Sequence, residues 1–290
     1  MNSVHVRCPA KVNLTLEVLG RRPDGYHELR TVFQAIDLCD ELTVSLADED
    51  AFEVTGDIAA PADGSNLCLK ALERFRERLG IAPPVAMTLH KRIPMQAGLG
   101  GGSSDAAGTL LALEALSGAR ATGLAGQLAP ELGSDVAFFL HGGAMVGAVR
   151  GEDLTPVAPL VDGAFLVAKP AVAVSTAEAY GMLAPADFTD GHHTAQMAQC
   201  LREGCALPEV ASRMYNAFAR PVETRWPVIR ATRDRLQRAE PQATLLCGSG
   251  AAIFGLFENG EQAQRAADLN DDLWTAVARP LPAGVQWVTP

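Results

Sequence analysis

Chemistry concentrates in Pro94-Met95-Gln96-Ala97-Gly98-Leu99-Gly100-Gly101-Gly102-Ser103-Ser104-Asp105. Four of the five residues 98–102 are glycine, and two hydroxyls and a carboxylate follow. Beyond them Ala106 to Leu116 carries Leu110, Leu113 and Leu116 at near-helical spacing, and Val85 to Leu89 upstream reads as a strand. The order is strand, glycine loop, helix N-terminus. The first turn of a helix leaves backbone N–H groups unpaired and carries partial positive charge. Glycines let such a backbone approach a phosphate closely. Ser103 and Ser104 add hydroxyls suited to phosphate oxygens or a bound Mg²⁺. A Walker A loop is excluded, because no Lys lies between Gly98 and the helix. A Rossmann fingerprint starting at Gly98 would want Gly or Ala where Ser103 stands. A flexible linker is the plainer alternative, and linkers rarely sit directly between a strand and so apolar a helix.

Stepping outward, Val4 to Val18 alternates as a strand, interrupted by Pro9, with Lys11 and Asn13 on one face and Val12 and Leu14 on the other. Pro23-Asp24-Gly25 is turn chemistry and places Tyr26 and His27 just past a tight turn, where the plain reading is a hairpin whose Tyr packs on the core. Thr31 to Leu46 reads as one or two strands. A helix starts after Ser65 or Asn66, either of which is a suitable cap, and runs to about Leu79. Lys91 and Arg92 fit surface charges and nucleotide-neutralising cations equally well. Gly118 to Gly126 is a small-residue turn region. Asp135 precedes the apolar Val136–Leu140; an N-cap is its plain role, but Ser134 can cap equally well and leave Asp135 free. The polar, glycine-rich run 147–153 marks a lobe boundary, giving units 1–150 and 151–290. In the second unit Ala164–Pro170 reads as a strand, Val172–Tyr180 as an extended stretch entering a helix capped by Ser175 or Thr176, and Ala243–Phe257 as a hairpin turning at Gly248-Ser249-Gly250. Glu261–Asp272 reads as a polar helix and Gly284–Pro290 as a short last strand or tail.

The glycine loop resembles the phosphate-binding motif of the GHMP kinases (galactokinase, homoserine, mevalonate and phosphomevalonate kinases). Two further stretches share that resemblance: Pro9-Ala10-Lys11-Val12-Asn13-Leu14 and the glycine turn at 248–250. Gly133-Ser134-Asp135-Val136-Ala137-Phe138-Phe139 departs from the family pattern at Ser134 and Ala137 and keeps the Asp. Met214–Ala219 retains only Asn216 of the family's Asn-Asp-x-Glu, a change a structural helix would tolerate. The hexapeptide Arg22-Pro23-Asp24-Gly25-Tyr26-His27 is close to a signature of the branch acting on a CDP-linked methylerythritol. The resemblance implies an α+β fold of two lobes, a ribosomal-protein-S5-like ATP-binding lobe followed by a ferredoxin-like lobe. It implies ATP-dependent phosphorylation, with ATP and Mg²⁺, of the 2-hydroxyl of that alcohol in the non-mevalonate route to isoprenoid precursors. Asp135 becomes the base and Lys11 its partner; residues 94–104 hold the ATP phosphates, and Asn66 lies near the adenine. Asn13, Tyr26, His27, Thr176, Tyr180, Gly248 and Ser249 face the substrate. Rival readings are a kinase for mevalonate- or homoserine-type alcohols, which has no use for Tyr26 and His27, and a non-catalytic nucleotide-binding regulator, which should lose Lys11 or Asp135.

Composition sets the outer bounds. At 290 residues, 48% hydrophobic and 20% charged, the chain supports a substantial core and two lobes. A formal charge of −10 disfavours a nucleic-acid partner, so an anionic substrate must be held by local donors and metal. No apolar run approaches the length of a membrane span, the start lacks a signal-peptide pattern, and the expectation is a cytoplasmic protein, monomer or homodimer. Six cysteines without Cys-x-x-Cys or zinc spacing read as free thiols, and His192-His193 as a surface pair in a polar loop.

Overall fold

The computed structural model describes residues 2–80, 83–118 and 122–288. Two long strands, β1 (Ser3–Arg21) and β2 (His27–Leu46), pair antiparallel around the Pro23-Asp24-Gly25 turn, where Gly25 takes φ +85°. Pro9 does not break β1; the register shifts at Pro9/Ala10, a bulge that absorbs the missing N–H. After β3 (Ala51–Thr55) come α1 (Leu67–Leu79), β4 (Val85–His90), α2 (Gly101–Leu116), α3 (Leu124–Leu132) and α4 (Val136–His141). Then follow β5 (Ala144–Val149), β6 (Asp153–Val157), β7 (Ala164–Lys169), α5 (Thr176–Gly181), α6 (His192–Glu203) and α7 (Leu207–Ser212). The chain closes with β8 (Tyr215–Asn216), α8 (Ala219–Arg225), α9 (Pro227–Gln237), β9 (Ala243–Leu246), β10 (Ile253–Phe257), α10 (Gly260–Asp268), β11 (Trp274–Ala278) and β12 (Gln286–Trp287).

One sheet runs β12-β1-β2-β4-β3, with β5 on β2, β6 on β5 and β8 on β1; the other runs β11-β7-β10-β9. The fold is therefore α+β with two sheets. β5 and β6 pair across the run expected to divide the lobes, and the second sheet starts at β7. β8 and β12 return from the C-terminal half to join the first sheet. Helix α2 lies on β1 and β2 and is nearly all buried, which its Ala-Ala-Gly sequence permits: a Cβ on Gly108 would sit 2.5 Å from Cys8 Sγ.

Several expectations need correcting. α2 begins at Gly101, five residues before Ala106, because Gly101 packs against Ile93 where an added Cβ would stand 2.9 Å from its methyl. Packing against neighbours outweighs the low helix propensity of glycine here. Met214–Ala219 is not a helix at its start: Tyr215–Asn216 pairs parallel with β1. Cys200 and Cys205 are joined as a disulfide, because Gly204 at φ +68° turns the chain back on itself, while Cys8, Cys39, Cys68 and Cys247 are free and buried. Residues 119–121 of the expected turn region, and 289–290 of the expected tail, lie outside the described residues; 124–126 already belong to α3. His192 and His193 open α6 instead of lying in a loop.

Candidate active site

A cleft of about 960 Å³ opens where the glycine loop, β1 and the β9–β10 turn meet. At its floor Lys11, 4% exposed, projects from β1, and its Nζ donates to Asn13 Oδ1 at 2.7 Å. Asn13 Nδ2 donates in turn to Thr31 Oγ1 (2.8 Å), and that hydroxyl donates to Thr15 O (2.6 Å). This relay fixes which way the Asn13 amide faces, so its oxygen is the atom offered to Lys11. Asp135 stands at the start of α4, and its carboxylate caps no N–H. It reaches Lys11 Nζ at 3.6 Å and keeps a third of its side chain exposed to the cleft.

The loop is clamped on both sides. Lys11 N donates to Leu99 O (2.9 Å), while Ala251 N and Ala252 N donate to Gln96 O and Ala97 O, both at 3.2 Å. Backbones approach so closely that a Cβ on Gly98 would stand 1.8 Å from Cys247 O, and Gly98 also takes φ +75°. Gly100, likewise at φ +75°, leaves no room beside the Phe139 ring and ends the loop as the cap of α2. The unpaired N–H groups of the α2 first turn stand next to this loop, the arrangement that accepts an anion.

Beneath the loop lies a buried ionic cluster. Lys91 Nζ donates to Asp40 Oδ2 (2.5 Å) and Asp105 Oδ2 (2.8 Å), and all three side chains are at most 3% exposed. Asp40 Oδ1 also accepts from the N–H groups of Arg92 (2.5 Å) and Ile93 (2.9 Å). Lys91 is therefore neither a surface charge nor a group facing the cleft. Asp105 Oδ1 has no partner, and burial pushes its carboxyl up to about 8, against the pull of Lys91.

The other end of the cleft is aromatic. His27 and Tyr180 rings lie 4.9 Å apart, and Tyr180 meets Phe218 edge-on at 4.8 Å. Burial, and secondarily the Arg21 charge, lowers the His27 pKa, so its imidazole is neutral at pH 7 with one donor and one acceptor. Burial also raises the Tyr180 phenol, which stays protonated. Tyr26 does not pack on the core: the residue is 57% exposed and lines the cleft. Thr176 and Ser249 hydroxyls approach at 3.4 Å.

Lys11, Asn13, Tyr26, His27, residues 94–103, Asp135, Thr176, Tyr180, Gly248 and Ser249 all line this one cleft. Two expected residues do not. Asn66 spends its side-chain oxygen capping α1 at Cys68 N (2.9 Å), and Leu67 lines the cleft in its place. Ser104 is fully buried behind the loop, because α2 starts early enough to turn it inward. Sequence reasoning missed Thr31, Phe33, Arg150 and Phe218, which also line the cleft, and the support Asp40; it noted Asn216 only as part of a structural helix, not as a support of the hairpin. Only partners distant in sequence reveal them. The His192-His193 pair approaches the buried Glu17 with ligand atoms within 4.8 Å. Glu17, however, accepts from the N–H groups of His193 (3.3 Å) and Thr194 (2.7 Å), an N-terminal cap for α6. A metal cation there would oppose the positive end of that helix.

The family model for the GHMP kinases N terminal domain matches residues 66–143. The chain is 40% identical over 273 residues to 4-diphosphocytidyl-2-C-methyl-D-erythritol kinase of Solibacter usitatus, covering 91% of this chain and 84% of that protein. It is 39% identical over 279 residues to the protein of the same name from Moorella thermoacetica, covering 93% and 96%. Among solved structures, a crystal structure of 4-(cytidine 5'-diphospho)-2C-methyl-D-erythritol kinase superposes with a TM-score of 0.80 at 35% identity, covering 94% of this chain and 98% of that one.

Proposed function

The chain belongs to the 4-diphosphocytidyl-2-C-methyl-D-erythritol kinases of the GHMP kinase family, and from that premise we propose how its residues divide the work. The enzyme is an ATP-dependent kinase that phosphorylates 4-diphosphocytidyl-2-C-methyl-D-erythritol. The observation that carries our residue assignment is the Lys11–Asp135 pair, 3.6 Å apart between the anion-accepting end of α2 and the aromatic end of the cleft.

Residues 94–103 hold the ATP phosphates through backbone N–H groups. Asp135 accepts the proton of the substrate 2-hydroxyl as the phosphoryl group bonds to it. Lys11, oriented by Asn13, stabilises charge on the group in transfer and pairs with Asp135. Mg²⁺ supplies neutralisation of the β- and γ-phosphate charge when bound. It prefers few protein ligands, all oxygen, and the Ser103 hydroxyl on the cleft wall suits it. At the far end, neutral His27 offers a donor and an acceptor to the cytosine edge, with Tyr26 and Tyr180 as ring partners; Thr176, Gly248 and Ser249 stand beside the substrate nearer Lys11 and the glycine loop. The two units 1–150 and 151–290 contribute one wall each, with β6, β8 and β12 knitting the second onto the first sheet. Among the described residues no helix is long and apolar enough to cross a membrane, and use of ATP supports a cytoplasmic site of action. Whether it works as monomer or homodimer is read from sedimentation.

The test is an ADP-release assay with Mg-ATP on the cytidylyl alcohol, free methylerythritol, mevalonate and homoserine. Turnover is expected on the first alone, and Asp135→Asn should lower kcat by at least about a hundredfold, the lower range for losing a positioned base. ATP affinity should hold. Turnover on mevalonate or homoserine would overturn the role given to Tyr26 and His27. Equal loss of ATP binding and turnover in Asp135→Asn would make Asp135 structural.

A further inference from the structure

Val149 ends β5 opposite Leu29 with φ +65°, a conformation that β-branched residues rarely adopt. Strain of this kind persists only where its surroundings enforce it, and it often marks a working part of a site. The residue it delivers is Arg150. In the turn that follows, Gly151 takes φ +106° and its N–H donates to Ala148 O (2.8 Å). Glu152 clasps Arg150 twice, accepting from its backbone N–H (2.9 Å) and from Nε (3.0 Å). So held, the guanidinium lies 4.9 Å from the centre of the Tyr26 ring, and both side chains line the cleft. Tyr26 itself follows a tight turn and is more than half exposed, so little else steadies its ring.

We propose that Arg150 is a specificity-determining residue for the cytidylyl group: it backs one face of Tyr26 and holds the ring with its other face open to the base, and the strained Val149 holds Arg150 there. The inference rests on the cytidylyl reading of this end of the cleft. A guanidinium stacks flat on an aromatic face and stays charged at every working pH. An unsupported exposed Tyr has to be ordered when the base arrives, whereas a braced one is already in place.

Calorimetry with cytidine and with CDP separates the alternatives, alongside KM for ATP. Arg150→Ala should weaken cytidine and CDP alike by about two- to fivefold, the size of an exposed cation–π contact. KM for ATP and kcat should not move, and Arg150→Lys should recover part of the loss. Val149→Gly relieves the strain and frees the turn; it should weaken cytidine in the same direction while the melting temperature holds or rises. Combined with Arg150→Ala it should add nothing, because both act through one contact. A loss confined to CDP would mean that Arg150 touches the phosphates, and the brace would be discarded. Unchanged cytidine binding in Arg150→Ala, or additive effects in the double variant, would overturn it too. Wild-type protein that binds neither cytidine nor CDP would overturn the cytidylyl reading as well, which keeps the two failures apart.

Discussion

Two carboxylates share one lysine beneath the phosphate loop, and they are not equivalent. Asp40 has both oxygens occupied, by Lys91 and by two backbone N–H groups, whereas Asp105 keeps an unpartnered oxygen. Asp105 is therefore the less well satisfied carboxylate of the two, in line with a carboxyl pushed up by burial to about 8. In the unfolded chain the same group titrates near 4. Because the folded value is raised, its contribution to stability is fully present below about pH 4. It shrinks as pH rises and is gone above about pH 8, at a slope of up to about 1.4 kcal/mol per pH unit. Asp105→Asn removes that dependence while keeping an acceptor for Lys91. Urea melts at pH 5 to 9 should show wild type losing stability relative to the variant up to about pH 8 and running parallel beyond. A constant difference across the range would mean that Asp105 is already ionised at pH 5.

The elements that position the site divide by what local sequence shows. The glycine loop, the Pro23-Asp24-Gly25 turn, the Asn66 and Ser175 caps and the Gly248-Ser249-Gly250 hairpin were legible, because turn and cap chemistry is written within four or five residues. The start of α2, the β8 strand and the burial of Lys91 were not. Each depends on a partner brought by another segment: Ile93 under Gly101, β1 beside β8, Asp40 beside Lys91. Glycines in the loop show the difference within one element. Gly98→Ala would put a methyl 1.8 Å from the Cys247 carbonyl at a positive φ, so the loop must leave the hairpin. Gly102 has ordinary helical φ, and its nearest neighbour to an added Cβ is a Leu67 methyl at 3.5 Å. Gly98→Ala should raise KM for ATP at least tenfold and lower the melting temperature. Gly102→Ala should stabilise by about 0.5–1 kcal/mol, the gain from removing a helical glycine. Equal destabilisation in the two variants would show that the loop is set by its own backbone and not by the hairpin beneath it.

Across the whole molecule, the cleft exists only where two sheets meet, so its geometry depends on how firmly they are joined. Asn216 is central to that join. It lies on β8 in the first sheet and is 6% exposed, and its Nδ2 donates to Leu246 O (2.9 Å) and Gly248 O (2.8 Å) at the end of β9 in the second. Its Oδ1 accepts from Phe218 N at 2.9 Å, fixing the amide so that both donors face the hairpin. Gly248 in turn packs so closely that its Cβ would stand 3.0 Å from Gly98 O and 3.3 Å from Lys11 Nζ. A side chain far from the reacting atoms thus sets the distance between phosphate loop, lysine and hairpin. Asn216→Ala leaves two carbonyls and one N–H without partners in a buried place, which should cost roughly 2–4 kcal/mol. Since the amide spans both sheets, calorimetry should show one transition shifted down. KM for ATP should rise through the loosened Gly248–Gly98 contact. Two separated transitions with unaltered KM would instead mean that each sheet folds alone and the cleft is held by the β12 and β6 pairings, leaving Asn216 a local support of the hairpin.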